Sequence, residues 1–267
     1  MGDLFALNGR MALVTGATGG IGHAIARALA KNGARLLLTG RRADVLEPLA
    51  RELGARALSV DLADRAAMDR LIEESRDVDV LVANAALPAS GRITDFEVAE
   101  IDAGLDVNLR APIVLARALV ARMSERGCGH LVFINSLSGK VAAPRASLYS
   151  ATKFGLRGFA QCLRQDLHGS AIGVSTIFPG FIRDAGMFAK SGAKLPPGVG
   201  TRSPEDVAAA VVKAIEGDEG EVDVAPLGLR VGALVGGIAP GVSGTLQRWL
   251  GSEKVADEVA TGQRGKT

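Results

Sequence analysis

The most informative residues are Tyr149 and Lys153, in Tyr149-Ser150-Ala151-Thr152-Lys153. Tyr149 is the single tyrosine of the chain. Residues four apart on a helix share one face, roughly 5–6 Å between Cβ atoms. An ammonium beside a phenol favours phenolate and lowers a pKa that is ordinarily about 10. A phenol so placed can give or take a proton near neutral pH. The spacing alone is common, and its other reading is a solvated pair on a helix surface. The surroundings add weight. Leu131–Asn135 reads as a buried strand, and Ser136-Leu137-Ser138-Gly139 follows its carboxyl end.

Near the start, Thr15-Gly16-Ala17-Thr18-Gly19-Gly20-Ile21-Gly22 follows a first strand and opens a first helix. Glycines there let backbone approach a pyrophosphate, and the helix N-terminus supplies donors and positive potential. No Gly-Lys-Ser/Thr closes the loop, which excludes a P-loop. The second strand ends in Leu38-Thr39-Gly40-Arg41-Arg42. An acid there would bind a ribose 2′-hydroxyl and favour NAD. Two arginines instead suit a 2′-phosphate in forked geometry, so NADP is expected, with NAD possible and Arg41 the nearer contact. Asp61-Leu62, after the third strand, is placed to meet an adenine edge; the other reading has Asp61 capping the next helix. In Ala83-Asn84-Ala85-Ala86, small residues leave room for a cofactor, and Asn84 can tie strand ends together.

These segments need a frame. Apolar runs at Met11–Val14, Arg35–Thr39, Ala57–Val60, Val78–Val82, Leu131–Ile134, Gly173–Phe178 and Glu221–Val224 alternate with helical stretches such as Ile21–Lys31, Asp44–Leu53 and Ala66–Ser75. The runs are nearly continuous in apolar residues, which suits parallel strands covered on both faces. Strand–helix repeats with right-handed crossovers give an α/β fold with a doubly wound parallel sheet in a single domain. Asn32-Gly33 stops the first helix, and Ser203-Pro204-Glu205-Asp206 opens a late one. Beyond Val224 the alternation ends. Gly and Pro density there predicts loop, with a short helix at Gly244–Leu250. Residues 226–267 are therefore expected to extend the 1–225 unit, covering the pocket, forming an interface or touching a membrane surface.

Composition narrows the classes. The 267 residues include 34 Gly but only eight Phe, one Trp and one Tyr, and 48% are hydrophobic. Such a chain can bury a large core and does not read as disordered. Its 31 Lys+Arg nearly balance 29 Asp+Glu, which argues against a nucleic-acid partner. Cys128 and Cys162 are far apart, which excludes a disulfide framework and a Cys-based zinc site. His23, His130 and His168 share no ligand spacing, so no metal is expected. The start MGDLFALNGR lacks the pattern of a secretory signal. Leu227–Ala239 is too short to span a membrane and holds Arg230. A soluble, reducing, cytoplasmic setting is the expectation.

Taken together, these motifs resemble the short-chain dehydrogenase/reductase family, compact type, over roughly residues 8–225. The resemblance rests on Thr15-Gly-x-x-x-Gly20-x-Gly22, Asp61, Asn84-Ala85-Ala86, Asn108, Ser136 thirteen residues before Tyr149-x-x-x-Lys153, and Pro179-Gly180, all in order. It implies a Rossmann-type fold and hydride transfer between a nicotinamide and a carbonyl/alcohol pair. By position, Tyr149 would exchange the proton with the substrate oxygen and Ser136 would orient that oxygen. Lys153 would bind the nicotinamide ribose and lower the Tyr149 pKa, and Asn108 would hold a water in a proton relay. Cofactor contacts would come from Gly16, Thr18, Gly19, Gly20, Ile21, Gly22, Arg41, Arg42, Asp61, Leu62, Asn84, Ala85, Tyr149, Lys153, Pro179, Gly180, Ile182 and Asp184. A homodimer or homotetramer is common in the resembled family.

The match has departures. Gly19 also suits the loop of the extended branch, which includes sugar-nucleotide epimerases; length and the Ser–Tyr spacing favour the compact branch. Ala86 replaces a usual Gly and narrows the backbone approach. Asp184 stands where many relatives carry a Thr that contacts the nicotinamide carboxamide. Two readings of Asp184 follow: it accepts a carboxamide N–H bond and favours the oxidised cofactor, or it pairs with Arg183 or caps a helix. Around the chemistry, Leu87, Pro88, Leu137, Val141, Leu148, and a loop with Met187, Phe188 and Leu195–Gly198 suggest a lipophilic substrate and a closing lid. Arg145 and Arg183 could meet an anionic group. The rival functions are a non-catalytic NAD(P)-binding regulatory protein, which would be expected to lack one of Asn108, Ser136, Tyr149 and Lys153, and an extended-branch epimerase or dehydratase, which would need a larger substrate-binding portion.

Overall fold

The computed structural model describes residues 5–193, 195, 199–239, 241 and 252–264. Seven strands form one sheet: β1 Met11–Thr15, β2 Arg35–Gly40, β3 Arg56–Ser59, β4 Val80–Ala83, β5 Gly129–Ile134, β6 Ile172–Pro179 and β7 Glu221–Val224. Every pairing is parallel, in the order β3-β2-β1-β4-β5-β6-β7. The fold is the expected Rossmann-type doubly wound sheet.

Each face is covered by helices, and side-chain alternation along the strands divides the core. Helices α1 (Gly20–Lys31), α2 (Ala43–Leu53) and α8 (Pro204–Gly217) pack Ile25, Leu29, Leu46 and Val211 against Val14, Leu38, Val82, Val132 and Ile177. Helices α3 (Arg65–Glu74), α5 (Ala111–Arg126) and α6 (Ser147–Asp166) pack Leu71, Leu115, Leu119 and Leu156 against Leu13, Leu37, Leu81, Leu131 and Phe133. The continuous apolar strands are buried on both faces, as parallel sheets require. The two edge strands depart from this: Arg56, Ala57 and Ser59 of β3 and Glu221 of β7 are exposed, because an edge strand has one neighbour.

The helix punctuation acts as expected. Gly33 takes φ +83° after α1. Ser203 caps α8 by accepting from the Asp206 N–H at 3.2 Å, while Asp206 accepts from the Ser203 N–H at 2.8 Å.

Four further α-helices lie among the described residues: α4 (Val98–Leu105), α7 (Gly186–Ser191), α9 (Leu227–Ile238) and α10 (Ser252–Arg264). The loop expected beyond Val224 is corrected here, since α9 is helical despite its glycines. Ala233 and Gly236 are buried, and this packing overrides weak helix propensity. The helix expected at Gly244–Leu250 lies outside the described residues, as do Pro196–Gly198 and Trp249. Among the described residues no helix is long and apolar enough to cross a membrane.

Candidate active site

The winding reverses at β1, whose neighbours β2 and β4 carry the chain in opposite directions across the sheet. Ligand clefts of open α/β sheets form at this point, beyond the carboxyl ends of the strands. Here the cleft is about 390 Å³, and its walls include Gly16, Thr18 to Gly22, Gly40 to Arg42, Asp61, Leu62, Asn84 and Ala85.

Four of its glycines are required by space. Gly16 has φ +64°, and a Cβ on it would lie 2.7 Å from the Ala85 Cα. A Cβ on Gly20 would meet the Ala185 methyl at 2.5 Å, and one on Gly22 the Ala17 Cα at 2.9 Å. Gly40 sits so close to Thr18 that a Cβ would fall 2.7 Å from its side chain. The loop thus forms a bare backbone cradle ending at α1, whose N-cap residue, Gly19, offers no side-chain cap. The first amides of a helix lack intrahelical partners, so this N-terminus suits a pyrophosphate. A dinucleotide fits these residues.

Asn84 locks the two strand ends together. Its Nδ2 donates to the Thr15 carbonyl at 3.0 Å and to the Gly16 carbonyl at 3.2 Å. The Thr15 hydroxyl accepts from the Asn84 and Ala85 N–H groups at 3.0 and 3.1 Å.

The two arginines have different positions. The Arg42 guanidinium donates to the Thr18 carbonyl and so braces the loop. Arg41 lines the cleft, and among the described residues its guanidinium has no ion pair. Asp61 Oδ1 accepts from the Ala63 N–H at 3.0 Å, a turn contact, while the residue still lines the cleft.

A second chamber of about 240 Å³ adjoins the first. It is lined by Ser136, Tyr149, Lys153, Pro179, Gly180 and Ile182, among others. Ile21, Asn84, Ala86, Gly186 and Met187 line both. Ser136, Tyr149 and Lys153 therefore meet in one place, next to the glycine cradle.

Their positions are tightly held. The Ser136 N–H donates to Asn135 Oδ1 at 2.8 Å, and Asn135 Nδ2 donates to the Lys153 carbonyl at 3.0 Å. A Cβ on Gly139 would lie 2.9 Å from that same carbonyl, so the turn after β5 is pressed onto α6. Lys153 is buried, and its Nζ donates to the Ile134 carbonyl at 2.9 Å and sits 5.7 Å from the centre of the Tyr149 ring.

The electrostatics correct one expectation. Burial pushes the Tyr149 phenol up to about 12, while its hydrogen bond with Ser136 acts in the opposite sense. Burial also brings the Lys153 ammonium down to about 8. The expected lowering of the phenol by Lys153 is therefore not what this geometry yields. Removal from water is the largest cause of each shift, and Lys153 is not among the groups acting on the phenol.

Asn108 is buried on a π-helical turn, Asp106–Arg110, between α4 and α5. Its Oδ1 accepts from the Leu87 N–H at 2.7 Å, and its Nδ2 donates to the Leu87 carbonyl at 3.0 Å. The side chain is thus committed to the loop after β4. π-turns occur preferentially at functional sites, and nothing in the local sequence announces this one.

Other expected residues are placed elsewhere. Asp184 has φ +63°, is 77% exposed and lies 3.5 Å from Arg183. It belongs to the walls of neither chamber. Arg145 pairs with Asp257 at 2.6 Å. Leu87 and Pro88 border the first chamber; Leu137, Phe181, Met187 and Phe188 border the second. Val141 and Leu148 line neither. Val259 and Gly262, both on α10, line the second and first chambers, and the sequence reading missed them. Their signal was available as the helical spacing of Val255, Val259 and Gly262.

The chain belongs to the short chain dehydrogenase family, whose model it matches over residues 10–196. It is 34% identical over 259 residues to the ketoacyl reductase HetN of Nostoc sp. (strain PCC 7120), covering 92% of this chain and 90% of that protein. Among solved structures it resembles a putative betaketoacyl-ACP reductase with TM-score 0.76 and 30% identity, over 84% of this chain and 99% of that one. It also resembles a short-chain dehydrogenase from Sphingobium yanoikuyae in complex with NADPH, with TM-score 0.76 and 27% identity, over 88% of this chain and 95% of that one.

Proposed function

We propose that this oxidoreductase uses NADP(H) to interconvert a lipophilic carbonyl compound and its secondary alcohol, with Tyr149 as the acid/base. The observation that carries this reading is the convergence of Ser136, Tyr149 and Lys153 in one chamber that shares a wall with the glycine cradle.

The cradle from Gly16 to Gly22, with Asn84, Ala85, Asp61, Leu62, Gly180 and Ile182, would hold the dinucleotide, and Arg41 would face a 2′-phosphate. The bound nicotinamide supplies or accepts hydride. In the reducing direction Tyr149, kept protonated by burial, gives its proton to the substrate oxygen. Ser136 donates a hydrogen bond to the same oxygen and fixes the reacting geometry. The ammonium of Lys153 supports negative charge developing on the phenol. In the oxidising direction Tyr149 takes the proton instead, and its high pKa makes this the more alkaline reaction.

The apolar walls at Leu137, Phe181, Met187 and Phe188 support a lipophilic substrate, and likeness to ketoacyl reductases supports one bearing an acyl chain. Exposed Leu105 and Phe154 support a homodimer or homotetramer. Free Cys128 and Cys162 agree with a reducing, cytoplasmic setting.

The test is consumption of NADPH and NADH, followed at the nicotinamide absorbance, with aliphatic ketones and 3-oxoacyl thioesters. Turnover with NADPH supports the reading. Tight cofactor binding without turnover of any carbonyl would favour a regulatory protein.

A further inference from the structure

Helix α10 lies beyond residue 196, where the family match ends, yet it reaches both chambers. Val259 lines the catalytic chamber and Gly262 the cofactor cleft. Three features hold it there. Gly262 lies against the backbone of Ser191 at the end of α7, so close that a Cβ would fall 2.7 Å from the Ser191 Cα. Ala260 is buried at 6% exposure. The Arg145 guanidinium meets the Asp257 carboxylate at both ends, Nε to Oδ1 at 2.6 Å and Nη2 to Oδ2 at 3.4 Å.

The anchor is close to the chemistry. Arg145 stands four residues before Tyr149, and its carbonyl accepts from the Gly91 N–H at 2.7 Å. One ion pair thus joins α10 to the segment leading into the catalytic helix, and through it to the loop after β4. Arg145 and Asp257 are 26% and 53% exposed. Exposed pairs contribute little to stability, so this one can hold a helix in place and still release it.

We propose that Val259 is a specificity-determining residue. Its side chain is the apolar part of the chamber wall that α10 contributes, limiting the aliphatic substituent of the substrate carbonyl, and the Arg145–Asp257 pair sets how firmly that wall stands. The inference rests on the reading of the chamber as a carbonyl site. At about 240 Å³ the chamber falls below the usual range of roughly 300–1,000 Å³ for ligand pockets. A change in one wall side chain therefore alters what fits.

The test has two arms. In the first, kcat and KM are measured for straight-chain methyl ketones of increasing length, with NADPH saturating. Val259→Phe is expected to raise KM for the long ketones at least about tenfold more than for the shortest. Val259→Ala is expected to shift the preference towards longer chains. Equal KM changes along the whole series would overturn the specificity role. In the second arm, Val259→Cys is labelled with a thiol reagent without cofactor, and the modified peptide is quantified by mass. Adding Asp257→Asn is expected to speed labelling about three- to fivefold. Labelling of Val259→Cys alone as fast as that of exposed Cys162 would overturn the placement of α10, and an unchanged rate on adding Asp257→Asn would overturn the role of the ion pair. Neither outcome depends on what the chain reduces, so this arm separates the inference from the proposed reaction.

Discussion

The Nζ of Lys153 donates a 2.9 Å hydrogen bond to the carbonyl of Ile134, the last residue of β5. The bond fixes the ammonium in the protein interior beside the Tyr149 ring. Burial there brings Lys153 down to about 8 and pushes Tyr149 up to about 12. As pH rises through about 8, Lys153 loses its charge while Tyr149 keeps its proton. For a reduction that needs both, kcat/KM should be level below about pH 8 and then fall about tenfold per unit. A pH profile of ketone reduction measures this. A level profile to pH 10 would remove the lysine charge from the mechanism.

Tyr149→Phe removes the proton donor and keeps the ring. Turnover is expected to drop by about 10²–10⁴-fold, the usual contribution of a positioned acid or base. NADPH affinity, read by fluorescence titration, should stay within about twofold, because the phenol acts on substrate oxygen rather than on the pyrophosphate cradle. Full activity in this variant would reject Tyr149 as the acid/base.

Arg41 lines the cofactor cleft, whereas the Arg42 guanidinium is held by the Thr18 carbonyl. Arg41→Ala should therefore weaken NADPH binding about 10–100-fold, as expected for loss of charge-assisted hydrogen bonds. NADH binding should not change. Equal weakening of both cofactors would mean that Arg41 supports the loop and not a 2′-phosphate.

His130 predicts a pH dependence of stability far from the chemistry. The ring is buried, its Nε2 lies 2.8 Å from the Ser175 hydroxyl, and burial lowers its pKa to about 4. Its unfolded value is about 6.5, so between these limits the unfolded chain binds the extra proton. Stability is whole above about 6.5 and is lost as pH falls towards 4. Between pH 7 and 5 the loss from this group is about 2 kcal/mol. Denaturant unfolding of the wild type and His130→Gln should show that slope shrinking in the variant. An unchanged slope would assign it to other groups.

Much of the molecule was legible in the sequence because periodicity and local chemistry carry it. Each expected strand matches an observed one to within about two residues, since parallel strands buried on both faces must be continuously apolar. The cradle was readable because glycine is the residue that allows backbone to approach backbone there, as Gly16 against Ala85 shows. The pairing of Tyr149 with Lys153 follows from helix geometry alone.

Tertiary structure decided the rest. Helix α9 was read as loop because its glycines argue against a helix, and packing against neighbours reversed that local preference. The committed side chain of Asn108 depends on Leu87, a residue 21 positions away. Local spacing suggested that Lys153 would lower the Tyr149 pKa, but the extent of burial set the direction, and burial is a property of the assembled chambers. The same holds for α10. Helical spacing marks Val259 and Gly262 as one face, but only long-range packing brings Gly262 onto Ser191 of α7 and Asp257 onto Arg145. Sequence periodicity shows that a helix forms; where it docks depends on surfaces built by distant parts of the chain.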